Sequence, residues 1–147
     1  MRHKILNDEN QKTYALILDS GDEVMNSIMG FAEEHRLQAS HFNAIGAFSR
    51  ATLGYFDFDI KDYKKIEIEE QVEVLNITGD ISLYKDQIKI HAHVVLSKKD
   101  GTAHGGHLIE GVVRPTLEVI LTESPAYLLR EYDEEIGLSL IKIDSPT

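Results

Sequence analysis

The chain has 147 residues, 25 of them acidic and 15 basic, for a formal net charge of −10. Its 42% apolar and 27% charged residues suit one buried core. No run approaches the roughly 18 apolar residues of a membrane-spanning helix, and the acidic balance opposes binding to nucleic acid or anionic membranes.

There is no cysteine, so disulfides and thiolate zinc sites are excluded, and any metal must be held by nitrogen and oxygen. Met1-Arg2-His3-Lys4 leads into Asn7-Asp8-Glu9-Asn10 and not into an apolar signal region, so the expected setting is the cytoplasm. No repeat, low-complexity tract or Pro/Gly-rich linker divides the sequence, and residues 1–147 are expected to form one domain.

Residues 1–10 read as a loose arm or short first strand. Thr13 to Asp19 is a compact apolar run and predicts a buried strand. Ser20-Gly21-Asp22 breaks it and can cap a helix. From Glu23 to about Arg36, Val24, Ile28 and Phe31 recur at helical spacing, with Met25 and Met29 as core filler. His35 near the end suits the negative pole of that helix.

Strand character returns from Ala39 to Ile45, with Gly46 allowing a bend or bulge. Ala51 to Asp57 and Lys65 to Glu69 read as two strands around a polar turn. Val72 to Thr78 and Ile81 to Tyr84 follow, with Gly79-Asp80 read as a turn between them. From Gln87 to Leu96 the residues Ile88, Ile90, Ala92, Val94 and Leu96 line one face of a strand. Lys98-Lys99-Asp100-Gly101 is a hairpin signal, and Leu108 to Val113 and Thr116 to Thr122 read as return strands. Ser124-Pro125 predicts a short C-terminal helix reaching about Tyr132, before a last strand from Leu138 to Ile143. The expected class is α+β: a mainly antiparallel sheet with one main helix near the N-terminus and a short one near the C-terminus.

His91 and His93 lie two apart on a strand, so they share the face opposite the apolar row. Two imidazoles on such a face form a donor pair, and catalytic zinc commonly takes three protein ligands and leaves one position open. A third ligand could come from across the hairpin, from His107 or His104. A two-residue loop at Asp100-Gly101 sets His93 opposite Leu108. One extra loop residue, or a bulge at Gly105-Gly106, sets His93 opposite His107 and favours His107 as the ligand.

Several ordered motifs resemble the PPC domain, named for plants and prokaryotes. They are Glu73-Val74-Leu75-Asn76-Ile77-Thr78-Gly79-Asp80-Ile81, then His91-Ala92-His93-Val94-Val95-Leu96-Ser97, Asp100-Gly101, Gly105-Gly106-His107-Leu108 and Glu118-Val119. Upstream, Gly21-Asp22-Glu23, Ala44-Ile45-Gly46-Ala47 and Leu53-Gly54-Tyr55-Phe56-Asp57 match as well, so the likeness spans about residues 12–143. It implies a strongly bent antiparallel sheet, a homotrimer, and a metal on His91, His93 and His107. Zinc is the usual candidate, and another divalent transition metal the alternative. It also implies a fold like that of acetolactate decarboxylase.

Two functions follow as expectations. One is a small metalloenzyme acting on a small anionic ligand, with Glu118 as acid or base and Arg114 on a carboxylate. The other is an oligomerisation module of a DNA-associated regulator. Plant members carry a basic AT-hook before the domain, and the N-terminal residues here contain none, which argues against direct DNA contact by this chain alone.

Overall fold

The computed structural model describes residues 1–7, 11–124 and 128–143. The order is β1 (Arg2–Asn7), β2 (Thr13–Asp19), α1 (Val24–His35), β3 (Ser40–Asp57), β4 (Asp62–Ile68) and β5 (Val72–Tyr84). It continues with β6 (Gln87–Ser97), β7 (Ala103–Glu123), β8 (Leu129–Asp133) and β9 (Leu138–Lys142). The class is α+β, as the sequence patterning predicts. Among the described residues no helix is long and apolar enough to cross a membrane.

The pairings β3–β5, β5–β6, β6–β7 and β7–β3 are all antiparallel and together close a circuit. β2 extends it from β7, and β1 extends it from β2. Strict alternation fills the interior. Leu16 and Leu18 of β2, Ile90 to Leu96 of β6 in steps of two, and Leu117, Val119 and Leu121 of β7 are buried. Each Leu, Ile or Val among them stabilises the fold by roughly 1.5–3 kcal/mol relative to exposure. α1 packs on β6 and β7 and buries Val24, Ile28, Phe31 and Ala32.

The helix is capped by Glu23 and not by the preceding Ser20-Gly21-Asp22. The Glu23 carboxylate accepts from the amides of Met25 (3.1 Å) and Asn26 (2.8 Å) and also of Gly111 in β7 (3.2 Å). One side chain thus satisfies helix N–H groups and ties α1 to the sheet. Asp22 instead accepts from the Asp19 amide.

The structure joins segments that the sequence appeared to separate. Residues 40–57 form one strand, bent where its register against β5 shifts between Ala44 and Gly46. A Cβ at Gly46 would lie 2.3 Å from the Thr116 carbonyl oxygen, so β7 passes too close for any other residue. β7 likewise continues through Arg114 and Pro115, which fall where the β3–β7 register jumps between Gly46 and Phe48. Pro115 is tolerated there because no regular ladder needs its missing N–H.

Gly79-Asp80 is not a turn. Both residues lie inside β5, paired with Ala92 and His91. The glycine serves close packing, since a Cβ there would meet the Phe42 ring at 2.3 Å and the His91 carbonyl oxygen at 2.8 Å.

The expected C-terminal helix is also corrected. Pro125 to Tyr127 lie outside the described residues, while Leu129–Asp133 is strand β8, parallel to β5 and antiparallel to β9. Its alternation, Leu129 exposed and Arg130 buried, follows from a side chain directed into the sheet.

Replacing Gly79 by Ala should destabilise the protein by about 1–3 kcal/mol through overpacking against Phe42. Thermal unfolding measures this, and a Phe42→Leu change in the same chain should recover part of the loss.

Candidate metal centre

Two hairpin loops determine which side chains meet. Between β5 and β6, Lys85 and Asp86 both have positive φ, 51° and 61°. This is the two-residue type I′ geometry that suits strand twist. It pairs Tyr84 with Gln87 and carries the register down to Asp80 opposite His91 and Thr78 opposite His93.

Between β6 and β7, the Lys98 amide donates to the Thr102 carbonyl (2.9 Å) and the Gly101 amide to the Lys98 carbonyl (2.9 Å), with Gly101 at φ 81°. This three-residue loop with a left-handed glycine is centred on Asp100. The register then runs unbroken from Ser97 opposite Ala103 to His93 opposite His107. The extra loop residue sets the pairing, and no bulge forms at Gly105-Gly106. Those glycines have another use: a Cβ on Gly106 would sit 2.8 Å from the Gly54 carbonyl oxygen of β3. His104 pairs with buried Leu96 and so faces away from His93.

His91, His93 and His107 therefore converge. Each offers a ring nitrogen, and these atoms all lie within 4.8 Å of one another. Ring centroids are 4.9 Å apart for His91–His93, 5.3 Å for His91–His107 and 5.7 Å for His93–His107. Zinc–nitrogen bonds of about 2.0–2.1 Å in a tetrahedron put donors roughly 3.4 Å apart, which small side-chain rotations from this arrangement reach. Tyr63 of β4 stacks on His107 at 4.6 Å and fixes its ring plane.

The electrostatics suit cation binding. Burial first, then the neighbouring His91 and His93 and the charge of Lys89, push the His107 imidazolium down to about 4. Burial and His91 lower His93 too. Both rings are neutral at pH 7, with lone pairs free to donate. His107 Nδ1 is buried and has no hydrogen-bond partner among the described residues, an arrangement that a bound ion would explain. The donor set fits a metal with three nitrogen ligands and an open position.

A polar support stands behind His91 that the sequence patterning missed. Buried Arg130 of β8 donates from Nε to Ser82 Oγ (2.7 Å), from Nη1 to the Ser139 carbonyl (2.8 Å), and from Nη2 to both Asp80 oxygens (2.9 Å each). Arg130 Nη2 and Asp80 Oδ2 reach His91 Nδ1 at 3.5 and 3.6 Å. Burial raises the Asp80 carboxyl, but contacts with His91 and Arg130 outweigh it and hold the group below the usual carboxylate range. A carboxylate behind a histidine nitrogen fixes ring orientation at metal sites. The available signal was Lys85-Asp86: read as a two-residue loop, it places Asp80 across from His91.

Glu118 and Arg114 are not brought to this group. Glu118 is exposed on β7, paired with Ile17 and Ile45, and lines a separate depression with Leu75, Pro115 and Thr116. Within this chain Glu118 stands eleven positions beyond His107 along β7, so it does not join the histidine group. Arg114 is exposed in the bulge beside Pro115.

The Plants and Prokaryotes Conserved (PCC) domain profile matches residues 6–125. The chain belongs to this PCC family. A metal-containing protein from Archaeoglobus fulgidus shares 36% identity, with 89% of this chain and 93% of that one aligned and a TM-score of 0.82. The plant- and prokaryote-conserved protein of Pyrococcus horikoshii shares 27% over 99% and 97%, with a TM-score of 0.85. A Ralstonia eutropha protein, provisionally named as DNA-binding, shares 30% over 88% and 90%, with a TM-score of 0.83. Acetolactate decarboxylase from Bacillus subtilis is similar in fold alone, at 12% identity and a TM-score of 0.58, over 90% of this chain and 60% of that one. No curated protein matches the PCC chain.

Arg130→Met should leave Asp80 without its main partner and lower the stability of this PCC domain by about 2–3 kcal/mol. Urea unfolding provides the readout. An unchanged midpoint would mean that Asp80 does not depend on the guanidinium.

Proposed function

We propose that this PCC protein is a cytoplasmic homotrimer that binds one divalent transition metal per chain, zinc foremost, through His91, His93 and His107. The observation that carries this reading is the convergence of three imidazole donors within 4.8 Å on paired strands. The metal-containing Archaeoglobus relative supports it. When bound, the ion supplies Lewis-acid polarisation of an oxygen or a lowered pKa for bound water. The protein's own residues provide the rest: Tyr63 and Asp80 hold two of the rings, and burial keeps His107 neutral. A cavity of about 260 Å³ beside His91 and His107 gives room for a small ligand, consistent with a small-molecule metalloenzyme.

The trimer reading is supported by the outward face of the sheet. Ile45, Leu75, Val95 and Ile120 are large apolar residues that remain 57%, 52%, 41% and 48% exposed in the single chain. A second copy of this chain is the occupant that would cover them.

Elemental analysis of protein purified without a His-tag should find close to stoichiometric metal. His91→Ala and His107→Ala should each lose most of it while keeping the wild-type circular dichroism. Metal content unchanged by both substitutions would defeat the assignment. Light scattering should report a trimer for wild type and a smaller species for Ile120→Glu.

The name of the Ralstonia relative favours a second reading, an oligomerisation module of a DNA-associated regulator. The net charge of −10 argues that this chain itself leaves DNA alone. Titration with duplex DNA at low salt should show no binding, and steeply salt-dependent binding would reverse that view.

A further inference from the structure

We propose that the cavity beside the histidines takes a small organic carboxylate, its anionic head held by Lys89 and its apolar body lying between Tyr63, Tyr132 and Leu140. The inference rests on the metal reading, because His91 and His107 form one wall of the same cavity.

The first observation is what lines the space. Lys89, His91, His107, Arg130 and two tyrosines contribute, and among the described residues no Asp or Glu lines the space, although the chain carries 25. In a protein of net charge −10, a concavity with no described carboxylate on its wall, where the nearest one, Asp80, is already balanced by Arg130, favours an anion.

The second observation separates the two cations. Arg130 has all three of its nitrogens engaged with Asp80, Ser82 and Ser139, so its guanidinium is spent within the fold. Lys89 is exposed; its carbonyl accepts from Ser82 Oγ, but its ammonium forms no ion pair or hydrogen bond among the described residues. It stands two positions before His91 on β6, so Lys89, His91 and His93 project from one face of the strand. Its ammonium is therefore the free cation placed next to the imidazoles, and neither Arg114 nor Arg130 fills that role.

The third is the shape of the rest. Tyr63, Ile90, Tyr132, Leu138 and Leu140 supply apolar wall, and about 260 Å³ is smaller than the cavities that take drug-sized ligands. Apolar walls around one free cation suit a short carboxylic acid with a hydrocarbon body better than inorganic phosphate, which has no apolar part to bury.

The test uses isobutyrate as probe, with isobutylamine and inorganic phosphate as controls, followed by NMR on the protein as purified and after loading with zinc. Metal content is measured separately on every sample. Isobutyrate should perturb signals from Tyr63 and Tyr132. It should bind Lys89→Gln about tenfold more weakly, the loss of one charge-assisted hydrogen bond. Lys89→Arg should restore most of the affinity, and isobutylamine should leave the spectra unchanged. Equal binding of isobutyrate to wild type and Lys89→Gln would overturn the proposal, as would phosphate binding as tightly as isobutyrate. Wild type without metal would count against the metal reading instead, and the Lys89 comparison on the metal-free protein would still decide whether the carboxylate is held there.

Discussion

Two backbone hydrogen bonds around Asp100 fix the pairing of β6 with β7, and the chemistry of the site depends on that pairing. The loop they close has an odd number of residues, so His93 meets His107 across the ladder. A loop one residue shorter would set His93 against Leu108 and turn every side chain of the returning strand to the other face. Gly101 permits the longer loop because it occupies a backbone region that side-chain-bearing residues resist. A left-handed glycine in a solvent-exposed turn thus controls the position of an imidazole six residues away.

The same logic of register extends outward. β3 and β7 each serve several partners, and the register between them and between β3 and β5 shifts at defined points. Those shifts let one strand pair with β5 at one end and β4 at the other, so Tyr63 of β4 arrives over His107 while Asp80 of β5 arrives behind His91. The histidines sit at the edge of the closed circuit, where the core stays apolar and the outer surface of the ladder remains open to a ligand. Burial of the alternate residues and the outward placement of the imidazoles are two results of one alternation.

That alternation is why much of the site could be read from sequence. His91 and His93 share a face whatever the tertiary structure, and the apolar row from Ile88 to Leu96 says which face. His107 was legible only as one of two registers, since loop length decides between them and sequence leaves the count open by one residue. Asp80 was hidden because Gly79-Asp80 has the composition of a turn, and only tertiary contacts, the Phe42 ring and the His91 carbonyl, explain a glycine inside a strand. Arg130 was hidden more deeply. Ser124-Pro125 carries a strong helix-start signal, and nothing local says that Arg130 will find Asp80, fifty positions earlier in the chain. Long-range ion pairs leave no periodic trace. Family resemblance over residues 12–143 supplied the ligand set and fold, and the profile match at 6–125 covers the histidines but not β8.

Charge counting connects these pieces. Imidazole nitrogens as ligands would add no negative charge to offset a divalent ion, so the ion would keep its full charge in a partly buried place. Asp80 is the nearest acid, yet Arg130 already balances it, and the pair contributes no net charge to the centre. Lys89 adds a further positive charge on the same face. With an ion bound, the centre would be cationic within an acidic protein, and desolvating it without an anion would be costly. A ligand carrying one negative charge and held by Lys89 beside the histidines would reduce that cost most directly. Asp80 would then serve to hold His91 in place, and neutralising a bound ion would fall to the ligand.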